Sequence, residues 1–175
     1  NYPIDYLINK KLFLDNEFYV NEDVLIPRPE TEELVNWILE DNREIKDKKR
    51  VIDIATGSGC IAISLSLYNK YFETVGVDIS RKALDVCKIN KKRISSKVNF
   101  SEYDIREEKI FSKKFDIIVS NPPYLTLNEI LTIGDNVKFE PKIALFAPSE
   151  DPLLYYKKII NFSKINLNKK FFLSY

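Results

Sequence analysis

From Val51 onward the chain repeats one pattern: a short, uniformly apolar run followed by a segment of helical character. Val51–Ile54, Thr74–Val77, Val98–Ser101 and Phe115–Ser120 read as strands, and Lys170–Leu173 as a final one. Gly59–Tyr68, Arg81–Arg93 and Pro152–Ile165 read as helices, with a shorter helix over Leu127–Ile133. Apolar runs without polar alternation are buried on both faces, and strand–helix alternation makes such strands parallel neighbours. The fold class is therefore α/β, a Rossmann-like, mostly parallel sheet with helices on both faces. Sheets of this kind place their ligands at the C-terminal ends of the strands.

Upstream, Lys11–Leu14 and Glu17–Val20 read as a β-hairpin with Asp15-Asn16 at the turn. Val24-Leu25-Ile26 follows as a short extended piece. Pro27-Arg28-Pro29 is rigid and leads into a helix from about Glu30 to Asn42, with Pro29 near its first turn. Leu34, Trp37 and Ile38 give that helix its apolar side. The 175 residues suffice for one domain with a sizeable core.

The strand ends carry the chemistry. Strand one runs into Asp53-Ile54-Ala55-Thr56-Gly57-Ser58-Gly59, a small Gly-containing turn that opens a helix. Glycines let backbone approach a ligand. The turn lacks the third glycine of a dinucleotide fingerprint and the Gly-Lys-Ser/Thr of a P-loop, and no basic residue is there for a pyrophosphate. Strand two ends in Asp78, 21 residues after Gly57, a spacing that suits an acid accepting from ribose hydroxyls. After strand three, Asp104 suits an exocyclic adenine amine and Ile105 its face. Each has a plainer reading: Asp53 and Asp78 as helix-capping acids, Asp104 as a turn residue. Three acids at successive strand ends favour an adenosine-containing cofactor. A sulfonium cofactor fits best, with Asp53 compensating its charge.

Strand four ends in Asn121-Pro122-Pro123-Tyr124. Two prolines give stiff backbone without N–H donors. What remains is an Asn amide, the bare Pro122 carbonyl and an aromatic ring, a set suited to a planar group carrying an NH₂. The plain alternative is a Pro-rich turn.

Composition narrows the chemistry further. There is no histidine, which removes His-based triads and most catalytic zinc sites; no metal is expected. Net charge is +1, from 27 basic and 26 acidic residues, too balanced for a large nucleic-acid surface. No apolar run approaches a membrane span and no signal-peptide pattern occurs. Cys60 and Cys87 fall in helical segments without metal or redox spacing, as reduced packing residues of a cytoplasmic protein do. The absence of methionine marks the chain as a piece of something longer.

Val24-Leu25-Ile26-Pro27-Arg28-Pro29-Glu30-Thr31-Glu32, the Asp53–Ile61 turn, Asn121–Tyr124 and Phe139-Glu140-Pro141 occur in an order that resembles the HemK/PrmC family. These are S-adenosylmethionine-dependent methyltransferases of the glutamine in the Gly-Gly-Gln loop of peptide chain release factors. The likeness runs from about residue 2 to about residue 165. It implies S-adenosyl-L-methionine as cofactor, S-adenosyl-L-homocysteine as product and a release factor as partner. It implies Asn121, Pro122 and Tyr124 as catalytic residues, with Pro123, Arg28 and Glu30 also on the substrate side. Asp53, Ala55, Thr56, Gly57, Gly59, Asp78, Asp104, Ile105 and Asn121 line the cofactor on the same footing. It also implies a hairpin and substrate-side segment over 1–28 and a catalytic domain over 29–175 that lacks its last strands. Ala55 departs from the family, which usually has glycine there. An amino methyltransferase acting on adenine or cytosine of nucleic acid is the alternative; a catalytically dead interaction module is the other.

Overall fold

The structure, a computed structural model, describes residues 2–107, 109–126, 129, 137–147 and 151–173. In chain order its elements are α1 (Ile4–Ile8), β1 (Lys11–Phe13), β2 (Asn16–Phe18), α2 (Pro29–Asp41), β3 (Lys49–Ile54), α3 (Cys60–Tyr68), β4 (Phe72–Asp78) and α4 (Arg81–Arg93). Then come β5 (Asn99–Glu102), β6 (Phe115–Ser120), a 3-10 turn at Val137–Phe139, α5 (Lys142–Leu145), α6 (Leu154–Asn166) and β7 (Leu167–Leu173).

The main sheet has the order β5-β4-β3-β6-β7, with every neighbouring pair parallel. From β3 the chain builds outward through β4 and β5, then returns to the other side of β3 for β6 and β7. The order reverses between β3 and β6, and that switch point opens a crevice above the strand ends. Alternate residues of each central strand feed opposite layers. Val51, Ile117 and Val119 pack with Leu34, Val35 and Ile38 of α2 and with Ile61 and Leu65 of α3. Ile52, Ile54 and Ile118 pack with Ile159 and Phe162 of α6. Double burial explains why these strands carry no polar alternation. Each fully buried Ile stabilises the fold by roughly 1.5–3 kcal/mol relative to exposure.

The N-terminal segment joins the same body. Tyr6, Val20, Val24 and Ile26 pack on Ala83 and Val86 of α4. Several expectations shift here. The hairpin turn is Leu14-Asp15, because Phe13 pairs with Asn16. That register puts Phe13 and Phe18 together inside, edge to face at 5.9 Å. Leu14 takes a left-handed φ of 49° to make the turn. Val24–Ile26 joins no sheet among the described residues; Val24 and Ile26 are buried and Leu25 is half-buried. Trp37 lies 58% exposed, and Val35 takes its place on the buried face of α2. The helix Ile4–Ile8 has no sequence forecast at all. The helix expected over Leu127–Ile133 lies, apart from Glu129, outside the described residues. Cys60 and Cys87 are both buried free thiols. Among the described residues, no helix is long and apolar enough to cross a membrane.

Candidate functional site

The crevice at the switch point is a cavity with walls from every strand end around it. Ala55, Thr56 and Gly57 after β3, Asp78, Ile79 and Ser80 after β4, and Asn121, Pro122 and Pro123 after β6 line it. Tyr103, Asp104 and Ile105 after β5 form one side, with Tyr155 of α6 beside them. Val24, Leu25 and Pro27 cover it from the N-terminal segment.

The turn after β3 is wound tightly. Ala55, Gly57 and Gly59 all have left-handed backbone, with φ of 57°, 56° and 82°. Asp53 holds this shape from behind. It is fully buried, and its Oδ2 accepts from the Thr56 hydroxyl (2.5 Å) and the Ala62 N–H (3.2 Å). Among the described residues its Oδ1 has no partner, and burial pushes the carboxyl up to about 7. Two further groups engage the loop carbonyls. The Cys87 thiol donates to Gly57 O (3.1 Å), and Asn90 Nδ2 donates to Ser58 O (2.9 Å) and to Tyr19 O. A Cβ built on Gly57 would meet nothing within 4 Å, so the backbone there is bare toward open space.

Asp78 bridges the two strand ends. Its Oδ2 accepts from Gly57 N–H and its Oδ1 from Ser80 N–H, both at 2.9 Å. Each oxygen keeps a lone pair for a ligand hydroxyl. Burial raises its pKa, against the pull of those backbone N–H groups.

At the end of β6, the Ser120 hydroxyl donates to Ile54 O at 2.6 Å and locks β6 to β3. Asn121 then projects beside α2, and its Nδ2 donates to Thr31 Oγ1 at 3.2 Å. Among the described residues its Oδ1 accepts nothing, so the accepting edge of this amide is uncommitted.

The sequence-predicted residues thus divide. Ala55, Thr56, Gly57, Asp78, Asp104, Ile105, Asn121, Pro122 and Pro123 converge on the cavity. Asp53 and Gly59 stand behind the turn instead, so Asp53 braces the loop rather than facing a ligand charge. Asp104 reaches the cavity edge with its carboxylate already gripped by Arg106 (2.6–2.9 Å), which holds its pKa low. Tyr124 is 46% exposed and outside the cavity lining. Glu30 is exposed, and Arg28 pairs with the buried Glu140, whose other oxygen accepts from Ile26 N–H at 3.2 Å. That pair fastens the covering segment rather than lining the cavity. Sequence reasoning missed Tyr155 and Asn90, and had Thr31 only as one residue of the Pro27–Glu32 segment over the site. For Asn90 the signal was present: it shares the Ala83/Val86/Cys87 stripe of α4, where a polar residue must find buried partners.

A strand-reversal crevice with a small Gly turn, an acid after the next strand and Asn-Pro-Pro-Tyr after the fourth defines a Rossmann-like methyltransferase fold. A solved structure with that fold is the T. thermophilus 16S rRNA N2 G1207 methyltransferase in complex with AdoMet and guanosine. It superposes with a TM-score of 0.67 at 20% identity, over 94% of this chain and 40% of that one. Residues 31–136 match the methyltransferase small domain family, and the chain belongs to it. Among curated relatives, the release factor glutamine methyltransferase of Flavobacterium psychrophilum is 43% identical over 169 residues, covering 95% of this chain and 59% of that protein. The Bacillus subtilis protein of the same name is 40% identical over 174 residues, covering 97% of this chain and 60% of that protein. The chain thus spans about 60% of the length of these relatives.

Proposed function

We propose that this chain is the methyl-transferring region of a release factor glutamine methyltransferase. In this reading it takes a methyl group from S-adenosylmethionine and places it on the side-chain amide nitrogen of the glutamine in a release factor's Gly-Gly-Gln loop. The observation that carries the reading is Asn121. Its amide nitrogen is held by Thr31, the residue lines a strand-end cavity, and among the described residues its oxygen accepts no hydrogen bond. The names of the relatives, at 40–43% identity across nearly all of this chain, supply the substrate.

The residues present suit the cofactor. Asp78 has lone pairs for two ribose hydroxyls, Ile79 and Ile105 offer apolar walls for a flat ring, and the bare backbone at Gly57 admits close approach. When bound, S-adenosylmethionine supplies a methyl group already activated by its sulfonium. The task of the protein is then to orient a poor nucleophile. An amide nitrogen delocalises its lone pair into its carbonyl. Asn121 Oδ1 and the Pro122 carbonyl, which has no competing N–H beside it, accept the two N–H bonds of the substrate amide. Acceptors on both bonds raise electron density on nitrogen; as the N–C bond formed, the sulfonium S–C bond would break, the thioether S-adenosylhomocysteine would leave, and the amide proton would depart along one of these hydrogen bonds to solvent. The preorganisation of the acceptors matters more as charge develops. The exposed Tyr124 ring offers a face to the incoming amide. Asp53 and Arg28 act at one remove, Asp53 on the shape of the turn and Arg28 on the closure of the covering segment.

The test is methyl transfer to purified release factor, read by mass spectrometry. The expected result is one methyl on the loop glutamine and none on a Gln→Ala acceptor. Methyl found on adenine or cytosine of added nucleic acid, with the release factor unmodified, would overturn the reading.

A further inference from the structure

We propose that Thr31 is a positioning residue for methyl transfer: its hydroxyl fixes which edge of the Asn121 amide faces the substrate. The inference rests on the functional reading above. Thr31 sits in the first turn of α2, only 2% exposed, and lines the same cavity as Asn121 and Pro122. The bond from Asn121 Nδ2 to Thr31 Oγ1 joins residues 90 positions apart, so local backbone geometry does not impose it. Thr31 is held in place by Leu34, Val35 and Ile38 further along α2, all buried against α3 and the sheet.

An asparagine side chain has one accepting and one donating edge, and rotation about its last torsion exchanges them. If both orientations were populated, the incoming NH₂ would often meet another NH₂, donor against donor. A threonine hydroxyl can accept from Nδ2 or donate to Oδ1; here it accepts from Nδ2, and that arrangement leaves Oδ1 free for the substrate. The backbone of the preceding residue is fixed separately, through the Ser120 hydroxyl and Ile54 O. Thr31 is thus assigned the orientation of the Asn121 side chain, not the placement of the strand end.

Thr31→Val keeps the side-chain shape and removes the hydroxyl, whereas Thr31→Ser keeps the hydroxyl and removes a methyl. With release factor as acceptor, the Val variant is expected to lose about tenfold in kcat, the scale of one hydrogen bond. Its affinity for S-adenosylmethionine by calorimetry should stay at the wild-type level, and the Ser variant should retain most of the turnover. The Asn121 side-chain amide protons, followed by proton–nitrogen correlation spectra of the chain alone, should shift in the Val variant and not in the Ser variant. Wild-type turnover in the Val variant, equal losses in Val and Ser, or unmoved amide resonances in the Val variant would overturn the proposal. A wild-type chain that methylates no acceptor overturns the functional reading instead, and the amide spectra then decide by themselves whether Thr31 orients Asn121.

Discussion

Ala55 holds a backbone conformation that its side chain disfavours, and that gives a signed stability prediction. Its φ of 57° is left-handed, as are those of Gly57 and Gly59 in the same turn. A left-handed L-residue is strained by roughly 1–2 kcal/mol. Replacing it with glycine relieves the strain but gives the unfolded chain more freedom, a cost of about 0.4–1 kcal/mol. Ala55→Gly should therefore stabilise the chain by about 0.5–1 kcal/mol, raising Tm by about 1–4 °C for a protein of this size. The reciprocal change supplies the control. A Cβ at Gly57 meets nothing within 4 Å, so Gly57→Ala introduces conformational strain without a clash. It should destabilise by a similar amount, about 0.5–1 kcal/mol. Scanning calorimetry of both variants checks the pair. A lower Tm for Ala55→Gly, or no loss for Gly57→Ala, would show that the turn is not under the backbone constraint assigned to it.

Gly76→Ala should cost more, about 1–3 kcal/mol by urea denaturation, from overpacking. A Cβ there would lie 2.5 Å from the Phe100 ring and 2.9 Å from Thr56 Oγ1, and an unchanged midpoint would refute that crowding. Folded Asp53 keeps its proton up to about pH 7, whereas the unfolded residue releases it near pH 4. The folded state thus binds the extra proton across that window, and stability falls as pH rises through it, by at most about 1.4 kcal/mol per unit. Asp53→Asn removes this contribution, so the gap between wild-type and variant stability should change between about pH 4 and 7 and level off above; parallel curves would refute it. Asp78→Ala should weaken S-adenosylmethionine binding by about 1–3 kcal/mol in calorimetry, and unchanged affinity would remove Asp78 from the site. Asn121→Ala should leave that affinity intact while lowering turnover by about 10²-fold, and near-wild-type turnover would reduce Asn121-Pro122-Pro123-Tyr124 to a structural turn.

The central strands were legible because burial on both faces leaves them continuously apolar. β3, β4 and β6 lie where Val51–Ile54, Thr74–Val77 and Phe115–Ser120 announce them, and the acids and the Asn121 segment fall at their ends. Local elements were harder to read. α1 is five residues long with only Tyr6 buried, too short for periodicity to register. The hairpin turn was displaced because packing of Phe13 against Phe18 outweighed the turn preference of Asn16, and Leu14 accepted positive φ instead. Within the site, spacing placed residues at the crevice but not the direction of their side chains. Asp53 faces inward toward Ala62 N, and Asp104 turns to Arg106, which stands two residues further on. Thr31 and Asn121 become partners only through the fold, across 90 residues of chain.

The contact between Ile26 N–H and Glu140 has a consequence for how the chain is made. The two residues stand 114 positions apart, and Arg28 joins the same carboxylate. A loop of that length closes slowly relative to local contacts. A chain emerging from the ribosome displays this covering segment long before residue 140, and cannot fasten it until that residue has followed. The Gly turn, Asp78 and Asn121 all leave the ribosome before that point. A nascent chain stopped between Tyr124 and Glu140 would carry its strand-end groups under an unfastened cover, and the Ile52, Ile54 and Ile118 face would still lack its partners on α6.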